Sequence, residues 1–139
     1  MSDLLLDASV WLAAVNPAEA RHVESYALID FAPQGAATLA ALDLTLYEVA
    51  NVAIVRWRSD TEAARVVALV QAACGDSLET VDEELVREAS LLALEHDLTV
   101  YDAAYVASSR RCGRRLVSCD EADLVEPGFA ITPAQAAVA

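Results

Sequence analysis

The sequence predicts a single α/β domain built on a parallel sheet with helices covering both faces. Three observations carry that expectation. Short apolar runs alternate with helical patterns along the chain. The length of 139 residues is that of one compact unit, a size at which about two-thirds of the unfolded surface can be buried. Hydrophobic residues make up 56% of the chain, yet only two Trp, four Tyr and two Phe are present. The core must therefore come mainly from Ala, Val and Leu, which suit helices packed on a sheet.

Taken in order, "DLLLD" reads as a buried strand and "ASVWLAAVN" as a helix broken at Asn16-Pro17. A second helix is expected over "AEARHVESYALIDF", ending before Ala32-Pro33-Gln34-Gly35, with a short strand in "AATLAAL". Asp43 is placed to N-cap a long helix "LTLYEVANVAIVRWRS". Gly75 closes another helix, "TEAARVVALVQAAC". "SLETV" reads as strand, "DEELVREASLLALEHD" and "AAYVASSRRC" as helices, the latter stopped by Gly113, and "RRLVSC" as strand. The small-residue tail "TPAQAAVA", residues 132–139, is expected to fray.

No apolar run reaches the 18 or so residues of a membrane span. The start "MSDLLLDAS" lacks the basic region of a signal peptide, so the expected location is the cytoplasm. Cys74, Cys112 and Cys119 are odd in number and show no CxxC spacing, which favours reduced thiols over a disulfide framework or a zinc site. Charge is the oddest bulk feature: 22 acidic residues face nine Arg and no Lys, for a net of −13. Such a surface repels nucleic acid over most of its area unless a local Arg patch or a bound divalent ion reverses the field. Acidity alone favours basic partners.

Within this excess, a few carboxylates stand out by position. Asp7 is the only charged group in "LLLDASVWL", and an ionised carboxylate is costly to bury unless it is hydrogen-bonded, paired or bound to a metal. Parallel strands point their C-terminal ends at one rim, where open α/β folds place their sites. Asp7 ends the first strand, Asp120 in "LVSCDEAD" ends a later one, and Asp102 in "LTVYDAAYVA" stands just before a helix. Each of the three also has a local explanation as a helix cap or turn residue. Glu48 has none: it shares a largely apolar helix face with Leu44, Asn51, Val52 and Val55, and no Arg lies within a turn of it. Four carboxylates converging without cations to neutralise them suit a hard divalent ion such as Mg²⁺ or Mn²⁺.

These motifs, in this order, resemble the PIN domain nucleases, and in size the chain is similar to the VapC-type toxins of prokaryotic toxin–antitoxin pairs. The resemblance rests on "LLLDASVWL" with Asp7 and Ser9, "LTLYEVANVAIV" with Glu48 and Asn51, "LTVYDAAYVAS" with Asp102, and "RLVSCDEADL" with Ser118 and Asp120. It places the PIN domain over residues 1–131. It implies a Rossmann-like sheet of about five strands and a Mg²⁺- or Mn²⁺-dependent endoribonuclease, a homodimer silenced by a cognate VapB-type antitoxin. Asp7, Glu48, Asp102 and Asp120 match the family's catalytic, metal-holding carboxylates, and Asp123 competes with Asp120 for the fourth place. Ser9 and Ser118, with Asn51 in a similar role, match the groups that orient a carboxylate or a water.

The acidic surface sits poorly with an RNA substrate. The candidate RNA-binding patch is "RRCGRR", with Arg110, Arg111, Arg114 and Arg115, to which Arg56 and Arg58 add; these arginines could equally pair with nearby acids. His22 and His96 read as surface or capping residues. An RNA-processing PIN nuclease without an antitoxin and a silent binding module are the alternative readings, and the full quartet argues against the latter. A haloacid dehalogenase-type phosphohydrolase would need a second Asp where Ser9 stands.

Overall fold

The structure is a computed structural model that describes residues 2–31 and 37–138. The expected helix end at 32–35 lies outside the described residues. Among the described residues four strands, β1 (Ser2–Leu6), β2 (Ala37–Leu42), β3 (Leu78–Glu79) and β4 (Arg115–Val117), form a parallel sheet in the order β3-β2-β1-β4. A parallel bridge from Val117 to Ile131 extends the sheet beyond β4 by one residue, so the expectation of about five strands is met by four and this bridge.

Among the described residues seven α-helices flank the sheet: α1 (Ala8–Val15), α2 (His22–Phe31), α3 (Asp43–Val55), α4 (Asp60–Cys74), α5 (Glu83–His96), α6 (Val100–Cys112) and α7 (Pro133–Ala137). The alternation of β1 divides the core. Leu4 and Leu6 pack with Trp11, Val49, Val66 and Val70 on one face, while Leu5 packs with Ala89, Ala103, Tyr105 and Leu124 on the other. A central parallel strand buried on both sides reads as an unbroken apolar run for this reason.

From β1 the chain winds outward through β2 to β3, then returns to place β4 on the other side of β1. The order therefore reverses between β1 and β4. In an open α/β sheet the crevice beyond the strand C-termini at such a reversal is where ligands bind. Asp7 follows β1 and Ser118 follows β4, both at that point.

Several local expectations are corrected. The second helix begins at His22, not Ala18, because the Asn16 side chain accepts from the Ala18 amide at 3.0 Å and holds residues 16–21 in turns. Asp43 is the first residue of α3 rather than its cap: Leu42 is the N-cap, and Asp43 Oδ1 accepts from the Val81 amide at 3.2 Å. That helix stops at Val55, and Arg58 has a positive φ of 55° that no helix continues through. The strand in "SLETV" is two residues long, an edge strand pairing only with Ala41 and Leu42. Within the segment expected to fray, Pro133–Ala137 forms α7. Thr132 and Gln135 cap α7 reciprocally, and Pro133 and Ala136 are buried, Ala136 in the core with Leu28 and Ile29 of α2.

Candidate metal centre

Asp7 is 5% exposed, and its carboxylate is held from two sides. Oδ1 accepts from the Ser9 amide at 3.0 Å and from the Ser9 hydroxyl, and Oδ2 accepts from the Ser118 hydroxyl at 2.5 Å. Each hydroxyl donates to Asp7 and accepts a backbone N–H in turn: Ser9 Oγ from Cys119 and Ser118 Oγ from Asp120, both at 2.9 Å. Asp7 thus does cap α1, as its position allows, yet a solvated cap would not need burial. Burial pushes its pKa up to about 6, against the pull of the two serines and with a further push from the charge of Asp102.

Glu48 is half-buried on α3 and accepts from the Tyr105 hydroxyl at 2.6 Å. Because that proton goes to Glu48, the Thr45 hydroxyl 2.7 Å away must donate to Tyr105, while accepting from the Leu42 amide at 3.2 Å. A continuous chain thus runs from the end of β2 to the Glu48 carboxylate. Burial raises the Glu48 pKa; the Tyr105 bond lowers it and the Asp102 charge raises it. Sequence reasoning passed over Tyr105. The signal available was its spacing of three from Asp102, which puts both on one side of α6.

Asp102 lies in the first turn of α6, but it does not cap that helix. Thr99 does, accepting the Asp102 amide at 3.0 Å, which leaves the Asp102 carboxylate free for another task. Burial raises its pKa, and the charges of Asp120 and Asp123 raise it further. Carboxylate oxygens of Asp102, Asp120 and Asp123 all lie within 4.8 Å of one another. Both candidates for the fourth place are therefore brought to Asp102. Asp120 caps the wide turn Glu121–Val125, accepting from the Asp123 amide at 3.1 Å, and that turn sets the two side by side.

Among the described residues, no ion pair reaches Asp7, Glu48, Asp102, Asp120 or Asp123. Asp102 is the hub, since its charge disfavours ionisation of both Asp7 and Glu48. An all-oxygen donor set in want of positive charge fits a hard divalent cation and does not favour a thiolate- or imidazole-seeking one.

Two sets of candidates are not brought to the carboxylates. Asn51 is exposed, and none of the site's hydrogen bonds involves it. The arginines of "RRCGRR" lie at the other rim, because Asp102 opens α6 while Arg110 and Arg111 close it and Arg115 begins β4. Arg111 pairs with Asp82 at 3.4 Å. Arg114 pairs with Asp3 at 3.2 Å and Glu79 at 2.8 Å, with its side chain only 13% exposed, so it ties strand ends together. Arg110 lies 5.9 Å from the centre of the Phe129 ring. The cations beside the carboxylates are instead Arg21 and Arg56, which line a recess with Ser9 and Asp120.

Residues 4–128 match the PIN domain family. Ribonuclease VapC3 of Pyrobaculum aerophilum is 34% identical over 128 residues, which cover 84% of this chain and 88% of that protein. Among solved structures, PAE2754 from Pyrobaculum aerophilum superposes with a TM-score of 0.67 at 25% identity, covering 99% of this chain and 95% of that one. Mycobacterium tuberculosis VapC20, a sarcin-ricin loop cleaving toxin, shares the fold with a TM-score of 0.73 at 22% identity, over 91% of this chain and 96% of that one. The match runs from β1 past the Asp120 turn and so takes in every candidate carboxylate: the chain belongs to the PIN domain family, among its VapC-type members.

Proposed function

We propose that this chain is a divalent-metal-dependent endoribonuclease toxin, working in the cytoplasm as a homodimer under the control of a VapB-type antitoxin. One observation carries the reading: Asp102, Asp120 and Asp123 stand within reach of one ion beside the strand-order reversal, the Asp102 charge bears on Asp7 and Glu48, and none of the five is in an ion pair among the described residues. The identity to a ribonuclease supports RNA as the substrate.

Asp7, Glu48, Asp102 and Asp120, with Asp123 beside them, are the residues that would hold Mg²⁺ or Mn²⁺. When bound, the ion supplies charge to the scissile phosphate and acidifies water for in-line attack at phosphorus, which leaves a 5′-phosphate and frees a 3′-hydroxyl. The rest is the work of the chain. Ser9 and Ser118 fix the Asp7 carboxylate and, by donating to it, favour its ionised form. Tyr105 fixes Oε1 of Glu48 and leaves Oε2 without a protein hydrogen bond among the described residues. For the antitoxin, a groove of about 800 Å³ between α1, α2 and α4, lined by Val15, Tyr26, Ile29 and Leu69, offers an apolar seat for a helix.

The test is incubation of the purified protein with total cellular RNA in chelator, Mg²⁺ or Mn²⁺, followed by end mapping. Discrete 5′-phosphate ends are expected with metal only. Diffuse decay would favour an RNA-processing nuclease, and no cleavage with either metal would favour a silent binding module. No helix among the described residues is long and apolar enough to cross a membrane.

A further inference from the structure

Of nine arginines in a chain of net charge −13, five are held by acids among the described residues: Arg21, Arg65, Arg87, Arg111 and Arg114. Arg56 is not. It is exposed at the C-terminal end of α3, with no side-chain ion pair or hydrogen bond among the described residues. It faces a recess of about 290 Å³ whose opposite parts include Ser9, Cys119 and Asp120 of the carboxylate site, with Leu12 and Val52 as apolar lining. Arg21 lines the same recess, where it is paired with Glu121, and Glu19 is the other carboxylate there. Resting on the ribonuclease reading, we infer that this recess is the RNA-binding subsite: Arg56, with Arg21, takes backbone phosphate of a single strand next to the bond held at the carboxylates.

The argument is electrostatic and steric. An anionic polymer approaching an acidic protein needs a local reversal of field beside the reacting centre, and the patch at the far rim cannot supply it there. A free guanidinium binds phosphate at full strength, whereas one already paired must exchange partners. Arg56 is therefore the primary contact and Arg21 the secondary one. A recess of about 290 Å³, with Leu12 and Val52 beside its polar groups, suits a nucleotide of a single strand better than the body of a duplex.

The test is binding of a fluorescent single-stranded oligoribonucleotide of mixed sequence to the full chain in Ca²⁺, an ion oxygen donors also accept, titrated across salt concentrations. Arg56→Ala is compared with Arg110→Ala, which removes the same charge at the opposite rim, and with Arg56→Lys. One phosphate contact to a single strand is worth a slope of about 0.7 in log K against log salt, hence about fivefold in affinity at 0.1 M salt. Arg56→Ala should lose that much while Arg56→Lys and Arg110→Ala keep the parent's slope. Equal losses in both alanine variants, or none in Arg56→Ala, would overturn the subsite, as would equal binding of a duplex of the same sequence. A parent that binds no RNA and cleaves none in Mg²⁺ or Mn²⁺ would overturn the ribonuclease reading itself, and the subsite with it.

Discussion

Ser118 donates its hydroxyl proton to Asp7 Oδ2 at 2.5 Å, joining residues 111 apart in sequence across the seam between β1 and β4. This contact holds a buried carboxylate that has no cation among the described residues. Burial outweighs the serines, so the Asp7 pKa stands at about 6, above its ordinary 3.8. A carboxylate with a raised folded-state pKa contributes stability that is complete below the unfolded pKa and is lost as pH rises through the folded one. In chelator, the protein should therefore be more stable near pH 5 than near pH 7.5. Of the full shift, only the part between pH 5 and the folded pKa of about 6 lies inside this window, so the difference is on the order of 1.4 kcal/mol at most. Urea melts at the two pH values check this; a fold that is steadily weaker at pH 5 would contradict the buried, unpaired state of Asp7.

Tyr105→Phe removes the one side-chain donor to Glu48 among the described residues and leaves the Thr45 hydroxyl to find another partner. That bond holds the Glu48 pKa down against burial and Asp102, so its loss should raise the pKa further. The acidic limb of the pH–rate profile for RNA cleavage should move to higher pH, with much of the plateau rate retained. Stability should fall by about 1 kcal/mol, the usual worth of a buried hydrogen bond. A loss of rate independent of pH would show that Tyr105 acts on something other than Glu48 ionisation.

How far the sequence revealed this can be argued from particular residues. The fold class and the rim were legible because β1 is a run of three buried leucines ending at an Asp, a pattern with few structural solutions. Glu48 was legible because a carboxylate on an apolar helix face demands an explanation. The arginines were not, since "RRCGRR" looks like one patch only in one dimension: a helix of 13 residues carries Arg110 and Arg111 away from Asp102, and Arg114 turns back toward Asp3 and Glu79. Asp120 reads ahead of Asp123 because it lies nearer the end of its strand, but a wide turn that presents both has no sequence signature. Thr99 as the cap of α6 was available from its place three residues before Asp102 but was eclipsed by the Asp itself.

Arg114→Ala tests the structural assignment of the far-rim arginines. The side chain is mostly buried between Asp3 and Glu79, so truncation leaves two acids without their shared partner. Removing one member of a buried pair costs up to about 3–5 kcal/mol; with both acids partly exposed, roughly 1–2 kcal/mol is expected here. RNA affinity and its salt slope should not change. Unchanged stability with weakened RNA binding would return Arg114 to the RNA-binding patch.

The last prediction separates a metal-holding role for Asp102 from a capping one by the sign of a stability change. Thr99 caps α6, so Thr99→Ala should cost about 1 kcal/mol with or without metal. Asp102 instead sits under the charges of Asp120 and Asp123 and presses on Asp7 and Glu48. Neutralising it relieves repulsion, so both Asp102→Asn and Asp102→Ala should leave the chelated protein at least as stable as the parent at neutral pH, and Glu48→Gln should do the same. All three should abolish RNA cleavage. They should also lose most of the stabilisation that saturating Mn²⁺ gives the parent, which grows as the logarithm of metal concentration over the dissociation constant. Thermal melts of the parent and the four variants, in chelator and in Mn²⁺, read both effects at once. If Asp102→Ala is destabilised in chelator as Thr99→Ala is, and Mn²⁺ raises every melting temperature equally, Asp102 belongs to the helix cap and the ion is held elsewhere.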